Sequence, residues 1–432
     1  MTFLPPCDII QGVNNYHSDT ELEYLPRWIA PKLQAAVDEH RVVVITGARQ
    51  VGKSTLLQRA APFSKWRYYT LDDYDVLRQV ESDPRSLWAG ASQVIIDEVQ
   101  KAPSLLPAIK RAVDIGPTRF VLSGSANLLL MRRVCESLAG RAVYFVLEPM
   151  TSGEAKQQPM PTILQELFAG KFPSDGVISG ITPYLRSTLL RGSMPALLHI
   201  SDPTAWVEWW EGYVATYLER DLRQISQIDA LSDFRRVMQL LALRTGQLLN
   251  QSEVARDAKI SQPTIHRYLN LLEGTYLLQN LPAFTASRTT RLLKSPKVQW
   301  ADPGLAVFLA GYFDEDALSS ARELGGFFET FVSHHLRVLA NLMTPRARLH
   351  YWRTTAGKEV DVVIEQGQRL LAFEIKMSES VGFGDAEGLC FFLDEHPKAV
   401  GAVLLYRGNE IRRLADKVIA LPMQFVLGNS LT

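Results

Sequence analysis

Short apolar runs and amphipathic stretches alternate through the first third of the chain. Val42-Val43-Val44-Ile45, Val94-Ile95-Ile96 and Phe120-Val121-Leu122 are too short for buried helices and rich in strand formers. Residues 41–150 therefore read as strands separated by helical segments, the pattern of a parallel α/β sheet. Residues 151–232 are less regular, with Gly170, Pro173, Gly176 and Gly180 as punctuation before a helical stretch from about Thr204 to Ile225. Residues 233–304 read as short helices followed by strands, and residues 305–432 as helix, strand, strand, then helix and strand again. No internal repeat is apparent.

The end of the first apolar run changes this picture from architecture to chemistry. Gly47-Ala48-Arg49-Gln50-Val51-Gly52-Lys53-Ser54 has the spacing of a phosphate-binding loop, and Thr55 continues into a helix. Its glycines let successive N–H groups turn inward around a phosphate, while Lys53 adds a mobile charge for the β- and γ-phosphates. ATP is the expected ligand and magnesium the expected cofactor, with Ser54 as one metal ligand. Gln93-Val94-Ile95-Ile96-Asp97-Glu98 ends a second strand on two carboxylates. Asp97 is expected on the magnesium side, and Glu98 as the base that polarises the attacking water. The third strand runs into Ser123-Gly124-Ser125, where Ser125, in preference to Ser123, is expected beside the γ-phosphate. Arg141 has two readings, a group that stabilises transition-state charge or a surface ion pair.

These residues resemble a large family of prokaryotic AAA-type ATPases. The resemblance rests on the phosphate loop, on Ile96-Asp97-Glu98-Val99-Gln100 and on Ser137-Leu138-Ala139-Gly140-Arg141. It extends to Tyr217-Leu218-Glu219-Arg220-Asp221-Leu222 and to Asp302-Pro303-Gly304-Leu305, where the family usually has Thr or another small residue at position 303. It covers nearly the whole chain. It implies an ATPase domain over residues 1–150, a helical linker or lid over 151–232, a winged helix, and a C-terminal domain of uncharacterised function. A homo-oligomer is the expected state.

Residues 252–258 read as a short helix, Lys259-Ile260 as a turn, and residues 261–273 as a second helix capped by Ser261. Ile265, Leu269 and Leu272 form its buried stripe, leaving Gln262, His266, Arg267 and Asn270 to reach bases or phosphates. A wing is expected from residues 275–278 paired with 296–300, its loop carrying Arg288, Arg291 and Lys294, with Lys297 following in the return strand. Overall charge hides this segment. The chain has 46 basic and 46 acidic residues, yet residues 235–300 hold ten Lys/Arg against three acids. That segment is +7 and the remainder −7, so neutrality does not exclude DNA as a partner.

The C-terminal segment carries a second constellation. Residues 358–364 and 371–376 form a plausible hairpin across Gly367, with Glu374 and Lys376 on one face. Asp361, twelve residues, then Glu374-Ile375-Lys376 resembles the PD-(D/E)xK restriction-endonuclease-like fold, in which carboxylates hold magnesium at a scissile phosphate. Asp361 and Glu374 are the possible metal ligands, and Lys376 the group that helps activate water or stabilise charge. Glu329, bordering the stripe Phe328, Phe331, Val332, Leu336 and Leu339, is the candidate helix-borne acid. The alternative is a nuclease-like scaffold without activity. His334 and His335 read as surface or helix-packing residues, with recruitment as ligands the alternative, and Trp206, Trp209 and Trp210 as core or interface.

The expected whole is an α/β P-loop AAA-type core, a winged helix–turn–helix and a C-terminal α/β PD-(D/E)xK-like domain. The expected function is magnesium-dependent ATP hydrolysis coupled to DNA binding or remodelling. A nucleotide-controlled regulatory switch acting through protein contacts is the alternative. The apolar runs are too short to cross a membrane, the N-terminus lacks the pattern of a signal peptide, and Cys7, Cys135 and Cys390 are too dispersed for a zinc motif. A cytoplasmic location is the expectation.

Overall fold

The computed structural model describes residues 23–124, 138–178, 185–221 and 230–428. The first sheet contains β1 (Val42–Thr46), β2 (Arg67–Thr70), β3 (Gln93–Asp97), β4 (Arg119–Ser123) and β5 (Ala142–Val146), in the order β2-β3-β4-β1-β5. Every pairing is parallel. Strand periodicity divides the side chains between two cores. Val43 and Ile45 of β1 join Ile95 and Val121 on one face. Val42 and Val44 join Val94, Ile96, Phe120 and Leu122 on the other. All five β1 positions are buried, as a central strand covered on both faces requires.

The helical stretch expected near residue 204 begins as an α-helix over Pro203–Tyr213 and continues as a π-helix over Val214–Asp221. Trp206 and Trp210 are buried, and Trp209 stacks on Tyr213 at 5.3 Å, so this cluster is core. Before it, β6 (Gly176–Val177) leaves the middle segment to join a distant sheet.

The helix–turn–helix consists of helices Gln251–Ala258 and Gln262–Gly274, the second capped by the Ser261 hydroxyl, which accepts from the Thr264 N–H. Lys259 makes the turn with φ +57°. A two-stranded ribbon follows, β7 (Leu278–Leu281) against β8 (Lys297–Trp300), antiparallel, with Leu281 opposite Lys297. The first ribbon strand thus begins at Leu278, where the sequence reading ended it. The loop between the strands contains a short helix, Arg288–Leu293.

Helix Leu324–Leu342 packs on a seven-stranded mixed sheet built from β6 and from β9 (Arg348–Arg353), β10 (Glu359–Gln366), β11 (Arg369–Lys376), β12 (Gly401–Tyr406), β13 (Glu410–Ala415) and β14 (Val418–Pro422). The order is β6-β13-β14-β12-β11-β10-β9. β10 and β11 form the expected antiparallel hairpin, with Gly367 at φ +65° in its turn. One extra β10 residue lies between Val360 and Val363 in the pairing with β9, a bulge at Asp361. Among the described residues no helix is long and apolar enough to cross a membrane.

Candidate nucleotide site and acidic cleft

The phosphate loop, Asp97-Glu98 and Ser123-Gly124 all follow the C-terminal ends of adjacent parallel strands, where open α/β sheets bind ligands. Gly47 holds φ +146°, and a Cβ there would collide with the Leu147 carbonyl oxygen at the end of β5. Gly52, at φ +93°, caps helix Lys53–Arg59 and turns the chain into it. Lys53 is 5 % exposed, and its Nζ donates to the carbonyls of Gly47 (3.1 Å) and Ala48 (2.8 Å). Burial pulls its pKa down to about 8, against the opposing pull of Glu98 and Asp97.

The carboxylates are equally constrained. Asp97 is buried; its Oδ1 accepts from the Glu98 N–H at 3.0 Å and its Oδ2 from the Tyr68 hydroxyl at 2.7 Å. Glu98 has φ +54°, and Gln100 Nε2 donates to its Oε2. Burial raises the Glu98 pKa, and the Asp97 charge adds to the effect. A buried ammonium and two carboxylates at the end of the loop form a donor set suited to a nucleotide phosphate with magnesium. Ser54 and Asp97 are the residues that could hold the ion.

Two supports of this site, Arg27 and Tyr68, carried no sequence signal, whereas a third, Tyr217, opens one of the motifs that carry the resemblance. Arg27 is 6 % exposed and reaches the Val51 carbonyl of the loop (2.8 Å), the Glu148 carbonyl (2.6 Å) and Glu154 Oε1 (3.2 Å). Tyr68 stands in edge strand β2, which has no apolar run to mark it. The Tyr217 ring lies 5.6 Å from the Arg49 guanidinium, while the Tyr213 hydroxyl donates to the Arg49 carbonyl at 3.4 Å.

Ser125 lies outside the described residues; Ser123 is fully buried, and its hydroxyl has no partner among the described residues. Arg141 does not reach its own phosphate loop. It precedes β5 at the N-terminal edge of the sheet, where Ala142 pairs with Val42. There Nε and a terminal nitrogen hold Asp114 at 2.6 and 3.0 Å, which is the ion-pair reading.

On the second helix of the helix–turn–helix, Gln262, His266, Arg267 and Asn270 are exposed while Ile265, Tyr268, Leu269 and Leu272 are buried. Lys294 is also exposed; the Arg288 side chain lies outside the described set. Two expected DNA contacts are corrected. Arg291 is bound to Glu365 at 2.7 and 3.2 Å and lies over the Phe284 ring. Lys297, 3 % exposed, places Nζ at 2.6 Å from Glu359, 3.0 Å from Glu329 and 3.4 Å from Asp361. Both cations face the C-terminal sheet, whose β9 meets the ribbon at β7 and at Ala283, opposite Tyr351.

Glu329, Asp361 and Glu374 do converge, lining a cleft of about 530 Å³ with Lys297, Glu359 and Arg353. The bulge turns Asp361 inward, where its Oδ2 accepts from the Ile375 N–H at 2.9 Å. Lys376 pairs with Glu374 at 2.8 Å, while Glu374 Oε2 is buried with no hydrogen-bond partner among the described residues. Burial, reinforced by the Asp361 charge, raises Glu329 to about 8 and Glu374 to about 7. The Lys297 ammonium sits between the acids from three elements. Among the described residues, no group of three or more His, Cys, Asp or Glu is arranged to hold a metal, so the expected Asp361–Glu374 metal pair lacks a complete donor set here. His334 and His335 are buried in packing; His335 Nε2 accepts from the Ser152 N–H at 2.9 Å.

Comparison with known proteins gives the context for both sites. Residues 39–156 match a family described as AAA domain, residues 182–316 a domain of unknown function (DUF8612), and residues 324–426 a domain of unknown function (DUF4143). Uncharacterized proteins of Mycobacterium tuberculosis and Mycobacterium bovis are each 30% identical over 404 residues, covering 92% of this chain and 83% of theirs. An Aeropyrum pernix ORC1 protein solved with DNA is 15% identical with a TM-score of 0.25, covering 66% of this chain and 92% of its own. Can2 from Sulfobacillus thermosulfidooxidans, solved with cyclic tetra-adenylate, is 11% identical with a TM-score of 0.19, covering 91% and 97%. Neither likeness carries an argument at those scores. The matched domains and the long mycobacterial alignments are decisive: the chain belongs to a family of AAA-type P-loop ATPases with a C-terminal domain of unknown function.

Proposed function

We propose that the chain hydrolyses ATP to ADP and phosphate with magnesium, and that its nucleotide state controls DNA binding through the helix–turn–helix. The observation that carries the first part is the meeting of buried Lys53, after β1, with Asp97 and Glu98 at the end of β3, on either side of β4. Ser54 and Asp97 would hold magnesium, which would supply charge neutralisation to the nucleotide phosphates. Lys53 leaves the loop carbonyls for the phosphates, and Tyr68 keeps Asp97 oriented. Glu98 takes the proton of the attacking water, a task suited to a carboxylate whose pKa burial has raised. Ser125 serves beside the γ-phosphate. Arg141 enters only as a group offered to a neighbouring copy in a homo-oligomer, which light scattering with and without ATP tests. Phosphate release measured for wild type, Lys53→Ala and Glu98→Gln tests the chemistry; full turnover in both variants removes it.

The DNA part rests on the exposed set Gln262, His266, Arg267 and Asn270, together with exposed Lys294 and with Arg288 of the ribbon loop. Binding to a labelled duplex across a salt series tests it, and salt-insensitive or absent binding counts against it.

One observation favours the second reading, a nucleotide-controlled switch without nuclease activity. Lys297 neutralises Glu329, Glu359 and Asp361 from within. This reading predicts no cleavage with magnesium or manganese. Cleavage by wild type that disappears in Asp361→Ala and Lys376→Ala would replace it with a true nuclease.

A further inference from the structure

The nucleotide site and the acidic cleft touch the same small element from opposite sides. Tyr276, two residues before β7, holds φ +59°, a region that costs a bulky residue on the order of 1–3 kcal/mol. Its hydroxyl accepts from Thr46 Oγ1 at 2.9 Å, and Thr46 is the last residue of β1, directly before Gly47. A second attachment runs through β7, where Gln279 Nε2 donates to Glu148 Oε2 at 2.7 Å. The Glu148 carbonyl accepts from Arg27, and Arg27 also holds the Val51 carbonyl of the phosphate loop. Both ribbon contacts therefore lead to the backbone that would cradle phosphate.

The other strand of the ribbon reaches the cleft. β8 begins at Lys297, hydrogen-bonded across the ribbon to the Leu281 position, and its ammonium is the cation among Glu329, Glu359 and Asp361. A shift of about one side-chain length in β8 separates these charges. The acids would then sit in a cleft open to solvent and demand another source of positive charge. Such a contact has two distinct arrangements, lysine seated and lysine withdrawn, which a coupled switch requires.

We propose that the β7–β8 ribbon is a strut between the two sites, and that nucleotide at the phosphate loop moves it through Tyr276 and Gln279, withdrawing Lys297 from the acidic cleft. The strut rests on the nucleotide-binding reading above and adds its regulatory output. Tyr276 and Gln279 are positioning residues in this scheme, and Lys297 is the moving charge.

Acetylation of lysines in the full chain, read by mass spectrometry, tests the strut. The probe is a non-hydrolysable ATP analogue with magnesium, its binding followed separately by a fluorescent derivative. Without nucleotide, Lys297 is expected to be far less reactive than exposed Lys294. With the analogue, Lys297 reactivity is expected to rise about fivefold or more, the lower range of ordinary allosteric coupling. Tyr276→Phe is expected to bind the analogue yet lose that rise, and Gln279→Met, which cuts the second attachment, is expected to reduce it. Analogue binding with no change at Lys297 in wild type overturns the strut and leaves the nucleotide reading standing. A full rise retained in both variants overturns the assigned route. Failure to bind the analogue removes the nucleotide reading and the strut together.

Discussion

At the scale of single residues, constraint is unevenly spread around the phosphate loop. Gly47 has both a positive φ and a carbonyl where a Cβ would sit, whereas a Cβ on Gly140, at φ +73°, would meet no atom of the described residues. Gly47→Ala is therefore expected to lower the melting temperature and abolish nucleotide binding. Gly140→Ala should cost only the backbone penalty of about 1 kcal/mol, which parallel thermal melts resolve. Glu98→Gln keeps shape while removing the base, so turnover should fall by about two orders of magnitude or more with binding retained, as steady-state phosphate release and fluorescent-nucleotide titration will show. His335 sets a pH limit. Burial pulls its pKa down to about 4, below the unfolded value of 6.5, so its contribution is present above pH 6.5 and lost as pH falls through 4. The loss amounts to roughly 3 kcal/mol. His335→Gln, which keeps an acceptor for Ser152, should flatten that acid limb in denaturant melts.

Among the elements, legibility followed burial and periodicity. β1, β3 and β4 appear as apolar runs because helices cover both faces of the central sheet. β2, at one edge, is Arg67-Tyr68-Tyr69-Thr70, so no apolar run betrays it, and with it went Tyr68. β5, at the other edge, is the apolar run Ala142-Val143-Tyr144-Phe145-Val146, which the reading of residues 41–150 did not single out. The second helix of the helix–turn–helix was readable from its cap and stripe. Its exposed face predicts that Arg267→Ala weakens duplex binding and lowers the salt slope by about one, measured by fluorescence anisotropy. The ribbon was misplaced because Thr275-Tyr276-Leu277 has strand-like composition, while Tyr276 takes a left-handed conformation that no propensity anticipates. Three acids of the cleft, Glu329, Asp361 and Glu374, were legible from their order along the chain, whereas Glu359 was not singled out. Their neutralisation by Lys297 was not legible, since ribbon and hairpin meet only after the two domains pack.

Across the whole molecule, the segment charge of +7 changes meaning. Arg291 and Lys297 spend their charge on Glu365 and on the cleft acids, so part of that excess holds domains together. Lys297→Met should leave buried carboxylates uncompensated and destabilise the chain by about 3–5 kcal/mol. The sign of its pH dependence follows from Glu329 at about 8 and Glu374 at about 7, both raised by burial first. Carboxyls raised this far favour the fold below their unfolded range, and that contribution is lost as pH rises through 7 and 8. The Lys297→Met defect should therefore be milder at pH 6 than at pH 8.5, as paired thermal melts will reveal.

The seventh strand of the C-terminal sheet comes from far upstream. β6 closes the edge of β13 through Val177 opposite Glu410, and Asp175 accepts the Arg413 N–H across 238 positions of chain. During synthesis, the piece that finishes this sheet leaves the ribosome long before the sheet exists. The middle of the protein must wait with its partner unmade, and the final strands must find it rather than one another's copies on neighbouring polysomes. A late, slow folding step and a tendency to pair edge to edge when synthesis outruns docking follow from that one borrowed strand.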